Sequence, residues 1–109
     1  MIVKFEQDYL YELYKTGKCD KKHRFQKDII KRYIDRINTL KSKETLEALY
    51  SIKSLHYEIL KGDKAGISSI RVNDKYRIEF TSSKETNTKE KTDTVIYVCN
   101  ILELSNHYK

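Results

Sequence analysis

Two arginines in alternating strand patterns are the first residues of this chain that could do chemistry. Arg71 lies in Ser69–Val72 and Arg77 lies in Tyr76–Phe80, and in both segments apolar and polar residues alternate. Side chains alternate along a strand, so both guanidinium groups should lie on the face opposite the apolar one. If helices cover the apolar face, the arginines stand on an open, cationic sheet face.

Three further side chains join this predicted surface. Lys61 precedes the first strand, and His107 and Tyr108 follow the last apolar run. Cleavage of RNA by attack of a 2′-hydroxyl on its own phosphate needs a base, cations near the phosphate and an acid, and it needs no metal. The two arginines with Lys61 and His107 could fill these roles. A plain solvated sheet face is the alternative interpretation.

Length and charge limit the class of protein. The 109 residues fit one domain, residues 1–109, with one modest core. Lys and Arg number 22 against 16 Asp and Glu, a formal charge of +6. This balance favours nucleic acid or an acidic protein as partner, although a solvated lysine surface gives the same number.

The cysteines and the apolar runs predict a plain intracellular chain. Cys19 and Cys99 are far apart and fit no metal-ligand spacing, so we expect two reduced thiols and no metal. No run is long enough for a signal peptide or a membrane span. The expected location is the cytoplasm, away from membranes.

The elements that must position the candidate residues follow from periodicity. Apolar residues at helical spacing predict helices over Glu6–Tyr14 and Phe25–Leu40, and a short one over Glu44–Tyr50. Gly17 is typical of the residue that ends a helix.

The strand patterns complete the predicted fold. Ile2–Phe5 predicts a first strand, and Asn73–Lys75 predicts a tight hairpin turn because Asn and Asp tolerate positive φ. Ser82–Thr94 has no apolar residue and predicts a long exposed hairpin loop. Val95–Leu104 is apolar on both faces and predicts a central strand. The order indicates an α+β fold, with N-terminal helices packed on one face of a small, mainly antiparallel sheet.

The segment from Leu60 to Phe80 resembles HigB-type toxins of the RelE/ParE toxin–antitoxin superfamily. Its pattern is L-K-G-D, then S-I-R-V-N, then Y-R-I-x-F, and Glu103–Lys109 resembles the end of one branch. The resemblance implies the same helix-backed sheet and cleavage of messenger RNA in the ribosomal decoding site, which inhibits translation. It also implies a helix-turn-helix antitoxin in a hetero-oligomer, and no cofactor.

The resemblance also assigns catalytic roles. Lys61 matches the lysine of the L-K-G-D motif, a group for proton transfer or phosphate binding. Arg77 matches the arginine of the Y-R-I motif, which would stabilise the phosphate. His107 matches a C-terminal histidine that acts as acid or base.

Two positions depart from the family pattern. Ser105-Asn106-His107 stands where some members have Asp-Tyr-His. Glu58 stands three residues before Lys61, where some members have histidine, and His56 lies two residues earlier. Either the roles pass to Glu58, His56 and Tyr108, or this member is slow or differently targeted.

Other cations have two interpretations each. Arg71 could contact a phosphate or pair with Glu79, and Lys64, His56 and Tyr108 are further candidates for RNA binding. His56 could equally be a partly buried loop residue.

The basic run Lys21–Arg24 and the outer face of the second helix also have two interpretations. They are either solvated or bound to ribosomal RNA or an acidic antitoxin segment. Rival functions for the whole chain are a non-enzymatic ParE-like toxin that binds a protein such as gyrase, and an inactive RNA-binding relative.

Overall fold

The computed structural model describes residues 1–87 and 94–106, without the side chains of Asn87 and Thr94. It contains two helices, α1 and α2, and five strands, β1 to β5. In chain order they are β1 Ile2–Phe5, α1 Asp8–Thr16, α2 Lys27–Ser42, β2 Glu58–Ile59, β3 Ser68–Arg71, β4 Tyr76–Asn87 and β5 Thr94–Asn106.

Both helices form where the periodicity predicts them, with each end shifted. Each helix begins and ends two residues later than predicted, and Gln7 and Gln26 before them are still extended. Gly17 ends α1 in the left-handed conformation, as expected, with a φ of 71°.

The predicted third helix is wrong in type. Three short 3-10 turns stand between α2 and β3, at Glu47–Ser51, Lys53–Leu55 and Gly62–Lys64. The first of them replaces the helix expected over residues 44–50. Only one residue of that turn, Leu49, is buried, so little core contact is available to extend it into an α-helix.

The sheet has the order β1-β5-β4-β3-β2. β1 runs parallel to β5, and the other neighbours are antiparallel. This confirms the α+β fold with a mainly antiparallel sheet, and β5 lies between two partners as predicted. β2 was not predicted, because a two-residue strand leaves no alternation to detect.

The predicted polar loop over residues 82–94 is wrong in its first half. Ser82 to Asn87 continue β4 and pair with β5, in the register Ser82↔Cys99 through Asn87↔Thr94. Polar side chains are compatible with a strand whose partner supplies the backbone hydrogen bonds, because the ladder uses only main-chain groups. Residues 88–93 lie outside the described part of the chain.

The core lies between the helices and one sheet face. The helices contribute Leu10, Leu13, Ile29, Tyr33, Ile37 and Leu40, the sheet contributes Ile70, Ile78, Phe80, Cys99, Ile101 and Leu104, and the β3–β4 turn contributes Val72. The hydroxyl of Tyr33 donates a hydrogen bond of 2.8 Å to the carbonyl of Leu10, which joins the two helices. None of the described helices has the length and apolar character to cross a membrane.

A β-bulge corrects the simple alternation expected for β5. Glu79 pairs with Glu103 while Phe80 pairs with Ile101, so Leu102 is the extra residue. Ile101 and Leu104 therefore both reach the core, although their positions differ by an odd number.

The hairpin turn between β3 and β4 forms as predicted, by a different mechanism. Asn73 Oδ1 accepts hydrogen bonds from the backbone N–H groups of Lys75, at 2.9 Å, and Tyr76, at 2.8 Å. Positive φ is not used here, since His56 is the only described non-glycine residue with a positive φ.

Candidate active site

Arg71 and Arg77 are register partners across β3 and β4. Like charges directly opposite each other repel, so this arrangement is stable only if nearby acceptors take up the guanidinium hydrogens. The alternation predicted from the sequence is confirmed: both arginines lie on the face opposite the core.

Arg77 is held by three acceptors. The expectation that it stands on an open sheet face is therefore wrong. Its Nε donates to Ser69 Oγ at 2.7 Å, and its Nη2 donates to the backbone carbonyl of His56 at 2.7 Å. Its Nη2 also lies 3.5 Å from a carboxylate oxygen of Glu58. The side chain is only 15% exposed, because β2 pairs with β3 and places the 56–58 segment over it.

His56 is exposed and does not adopt the partly buried loop position that was one of its two interpretations. Its backbone has φ 44° and ψ 49°, the left-handed region that a residue with a β-carbon rarely adopts. Its ring Nε2 lies 3.5 Å from Arg71 Nη1. Arginine only donates, so Nε2 of His56 can take part in this contact only as an acceptor.

Arg71 pairs with Asp74, three residues later in the hairpin turn, and the alternative partner Glu79 is wrong. The Asp74 side chain is 89% exposed, and that of Arg71 is 36% exposed. A solvated carboxylate holds a cation weakly, so Arg71 can exchange Asp74 for a phosphate.

Glu79 is instead the partner of Lys64. Lys64 Nζ donates to the two carboxylate oxygens of Glu79 at 3.0 and 2.8 Å. The Glu79 side chain is only 7% exposed, and its hydrogen bond raises the pKa of Lys64. Lys64 thus neutralises a buried carboxylate on the site's own sheet face.

The remaining predicted site residues are Lys61, His107 and Tyr108. Lys61 is exposed, directly before the 3-10 turn at Gly62–Lys64. His107 and Tyr108 lie outside the described residues. β5 ends at Asn106, and its neighbour Ser105 is the register partner of Arg77. In the described ranges, no group of three His, Cys, Asp or Glu side chains could hold a metal ion.

Residues 3–94 match the family described as RelE-like toxin of the type II toxin–antitoxin system HigB. The chain belongs to this family. The resemblance predicted from the L-K-G-D, S-I-R-V-N and Y-R-I-x-F motifs is confirmed. A type II toxin has an antitoxin partner, and this holds for the present HigB-like toxin.

The fold also agrees with a solved relative. A structure titled YoeB/ParE toxin from Agrobacterium tumefaciens aligns with a TM-score of 0.56 and 17% identity, over 99% of this chain and 100% of that one. At this identity the likeness supports the fold alone. No curated protein sequence matches the chain.

In this HigB-like toxin the structure brings together Arg71, Arg77 and His56, with Lys64 on the same sheet face. Ser69 and Asp74 were not predicted from the sequence as partners of the arginines. Asp74 could have been found, because a hairpin turn brings residues three apart together. Ser69 could have been found as the residue two positions before Arg71, on the same strand face.

Proposed function

We propose that this HigB-like toxin is a ribosome-dependent endoribonuclease that cuts messenger RNA and so inhibits translation. One observation supports this most: an exposed imidazole, that of His56, lies 3.5 Å from the guanidinium of Arg71, beside the fixed Arg77. An imidazole that can accept a proton, next to a cation that can bind a phosphate, supplies two of the three groups that 2′-hydroxyl attack requires.

The proposed reaction is a transfer within the RNA. A base takes the proton of the 2′-hydroxyl, the 2′-oxygen forms a bond to the adjacent phosphorus, and the bond from phosphorus to the 5′-oxygen breaks. An acid gives that oxygen a proton. The products are a 2′,3′-cyclic phosphate and a free 5′-hydroxyl, and no step uses a cofactor.

The described residues divide this work. Arg71 binds the scissile phosphate when it leaves Asp74, because its guanidinium is partly exposed. Arg77 adds positive charge and holds the His56 backbone. His56 supplies the base through Nε2, the ring nitrogen that faces Arg71.

Three candidates from the sequence remain part of the proposal. Lys61 is an exposed second cation for the phosphate. His107 is the proposed acid and Tyr108 a proposed RNA contact, since both follow directly on the strand end whose Ser105 pairs with Arg77.

The proposed partners follow from the same activity. The substrate is messenger RNA on the ribosome, in the cytoplasm. The antitoxin is proposed to be a helix-turn-helix protein in a toxin–antitoxin hetero-oligomer.

The test is a reconstituted translation reaction in which messenger RNA ends are mapped with and without ribosomes. The variants are His56→Asn, which keeps the tendency for the left-handed backbone, and a Lys61→Ala, Arg77→Ala, His107→Ala triple variant. The matched control is His23→Asn, whose ring contacts Tyr9 and Asp20 instead of this cluster.

We expect cuts in phase with codons that require ribosomes, disappear in both site variants and persist in the control. Intact messenger RNA from a protein that still arrests growth would overturn the proposal. A protein target such as gyrase would then be the next candidate.

A further inference from the structure

A second cationic surface lies between the start of α2 and the β3–β4 turn. It is a groove of about 840 Å³, which we call the arginine groove. Its charged lining consists of Arg24, Arg32, Arg36, Arg71, Lys75, Asp28 and Asp74. Five cations against two carboxylates give this lining a net charge of +3.

The cations of the arginine groove are not equivalent. Arg36 is fixed, since its Nε donates to the backbone carbonyl of Arg71 at 2.9 Å and its Nη1 contacts Asp35. Arg24, Arg32 and Lys75 are exposed. The fixed arginine joins α2 to β3, and the three exposed cations are the ones that can turn toward a ligand.

The arginine groove also offers an aromatic ring. Tyr76 lines it and is half-buried, and its ring is held edge-on by Phe25 at a centroid distance of 5.8 Å. Proteins bind single-stranded nucleic acid with a row of cations along its phosphate backbone and with aromatic rings on which its bases stack.

The arginine groove is continuous with the candidate active site through one residue. Arg71 lines the groove and also contacts the ring of His56. Ser54, two residues before His56, lines it as well. A strand of RNA whose phosphate reached Arg71 would therefore pass its neighbouring nucleotides along this surface.

We infer that the arginine groove binds phosphodiester groups of RNA next to the cut site, through Arg24, Arg32 and Lys75. This inference rests on the proposed nuclease function, and it specifies how the substrate is held beyond the reacting phosphate. The phosphates belong either to the messenger RNA or to ribosomal RNA around it, since the recognising chemistry is the same.

The test measures binding, so that it does not depend on cleavage. The probe is a single-stranded RNA oligonucleotide with 2′-O-methyl groups throughout, which cannot undergo 2′-hydroxyl attack. The groove variant is Arg24→Gln, Arg32→Gln, Lys75→Gln. The control variant is Lys4→Gln, Lys15→Gln, Lys18→Gln, which removes the same charge from exposed residues outside the groove.

Fluorescence anisotropy is measured against salt concentration for the three proteins. Loss of three phosphate contacts should lower the slope of log Kd against log salt by about 2, at ~0.7 per contact for single strands. We expect the Kd of the groove variant to rise about tenfold or more at 0.1 M salt, and that of the control variant to change much less.

A second arm measures co-sedimentation with ribosomes that carry no messenger RNA. A specific loss in the oligonucleotide arm assigns the phosphates to messenger RNA, and a loss in the ribosome arm alone assigns them to ribosomal RNA. Equal behaviour of the groove and control variants in both arms overturns the inference. Unchanged RNA binding with weakened binding of an acidic antitoxin peptide overturns it as well.

The two proposals can fail separately. If the wild-type protein cuts no messenger RNA but the groove variant loses RNA affinity, only the nuclease function is wrong. If the groove and control variants bind alike while the wild-type protein cuts, only the groove is wrong.

Discussion

Arg77 donates a 2.7 Å hydrogen bond from Nη2 to the backbone carbonyl of His56, the residue with a φ of 44°. The same guanidinium donates from Nε to Ser69. One mostly buried side chain therefore ties a strained exposed residue to the sheet. Strain at an exposed polar residue is typical of functional sites, where the surrounding structure maintains it.

Replacing His56 by glycine should stabilise the protein and abolish its activity. Glycine adopts the left-handed region without the steric cost of a β-carbon, about 1–2 kcal/mol. We expect the free energy of unfolding in urea to rise by about 1 kcal/mol. His56→Ala serves as control and should gain nothing, since alanine keeps the β-carbon. A destabilised glycine variant would argue against strain at this position.

Replacing Arg77 by lysine should destabilise the protein, although lysine keeps the positive charge. An ammonium group cannot donate to both Ser69 and the His56 carbonyl in the forked geometry of a guanidinium. Hydrogen bonds of charged groups contribute about 1.5–3 kcal/mol each, so the free energy of unfolding should fall by about 2 kcal/mol. Arg32→Lys, on an exposed position, should change it by less than ~0.5 kcal/mol. Equal stability of the two variants would contradict the prediction.

The Lys64–Glu79 pair should stabilise the protein at neutral pH and cease to do so in strong alkali. The hydrogen bond to Glu79 raises the pKa of Lys64 above its usual value. A raised pKa in the folded state adds stability below the unfolded value, about 10.4, and that stability disappears as the pH rises through the folded pKa.

The measurement compares wild type with Lys64→Met in urea over a range of pH. Lys64 is half-exposed, so we expect a loss of only about 1 kcal/mol at pH 7, the low end for an unpaired buried acceptor. The difference should shrink above pH ~10.4. Lys53→Met, at an exposed position in a 3-10 turn, is the control. A difference that stays constant into alkali would refute the pairing.

The two cysteines should differ strongly in reactivity. Cys99 is fully buried in the core, and burial raises its pKa to about 11. Cys19 is half-buried, and its Sγ accepts a weak hydrogen bond from the Phe25 backbone at 3.4 Å. The reactive species is the thiolate, so at pH 8 the folded protein should titrate one thiol quickly with a disulfide reagent.

The Cys19→Ser variant should lose this fast phase, and Cys99→Ala should keep it. Both thiols should react quickly in urea, which checks that the slow one is protected by folding. A fast thiol in folded Cys19→Ser protein would place Cys99 outside the core.

The local pattern predicted the sheet face on which the two arginines lie, because that face depends on alternation alone. Arg71 and Arg77 share a face since each is flanked by core residues, and no distant contact is needed to decide that. The burial of Arg77 was not predictable, because it depends on β2, two residues long and recruited from a segment without periodicity. The partner of Glu79 was not predictable for a similar reason, because Lys64 reaches it from a 3-10 turn. The Arg71–Asp74 pair, in contrast, spans only three residues of the hairpin turn.

The sequence by itself determined the two α-helices, the core face of the hairpin and the toxin family. These follow from side-chain periodicity and from motifs whose residues are close in the chain. Only the tertiary structure decided that residues 82–87 extend β4, that His56 is strained beneath Arg77 and that α2 forms an arginine groove with the β3–β4 turn. Each of these depends on contacts between segments distant in sequence, whose free energy exists only once the chain has packed.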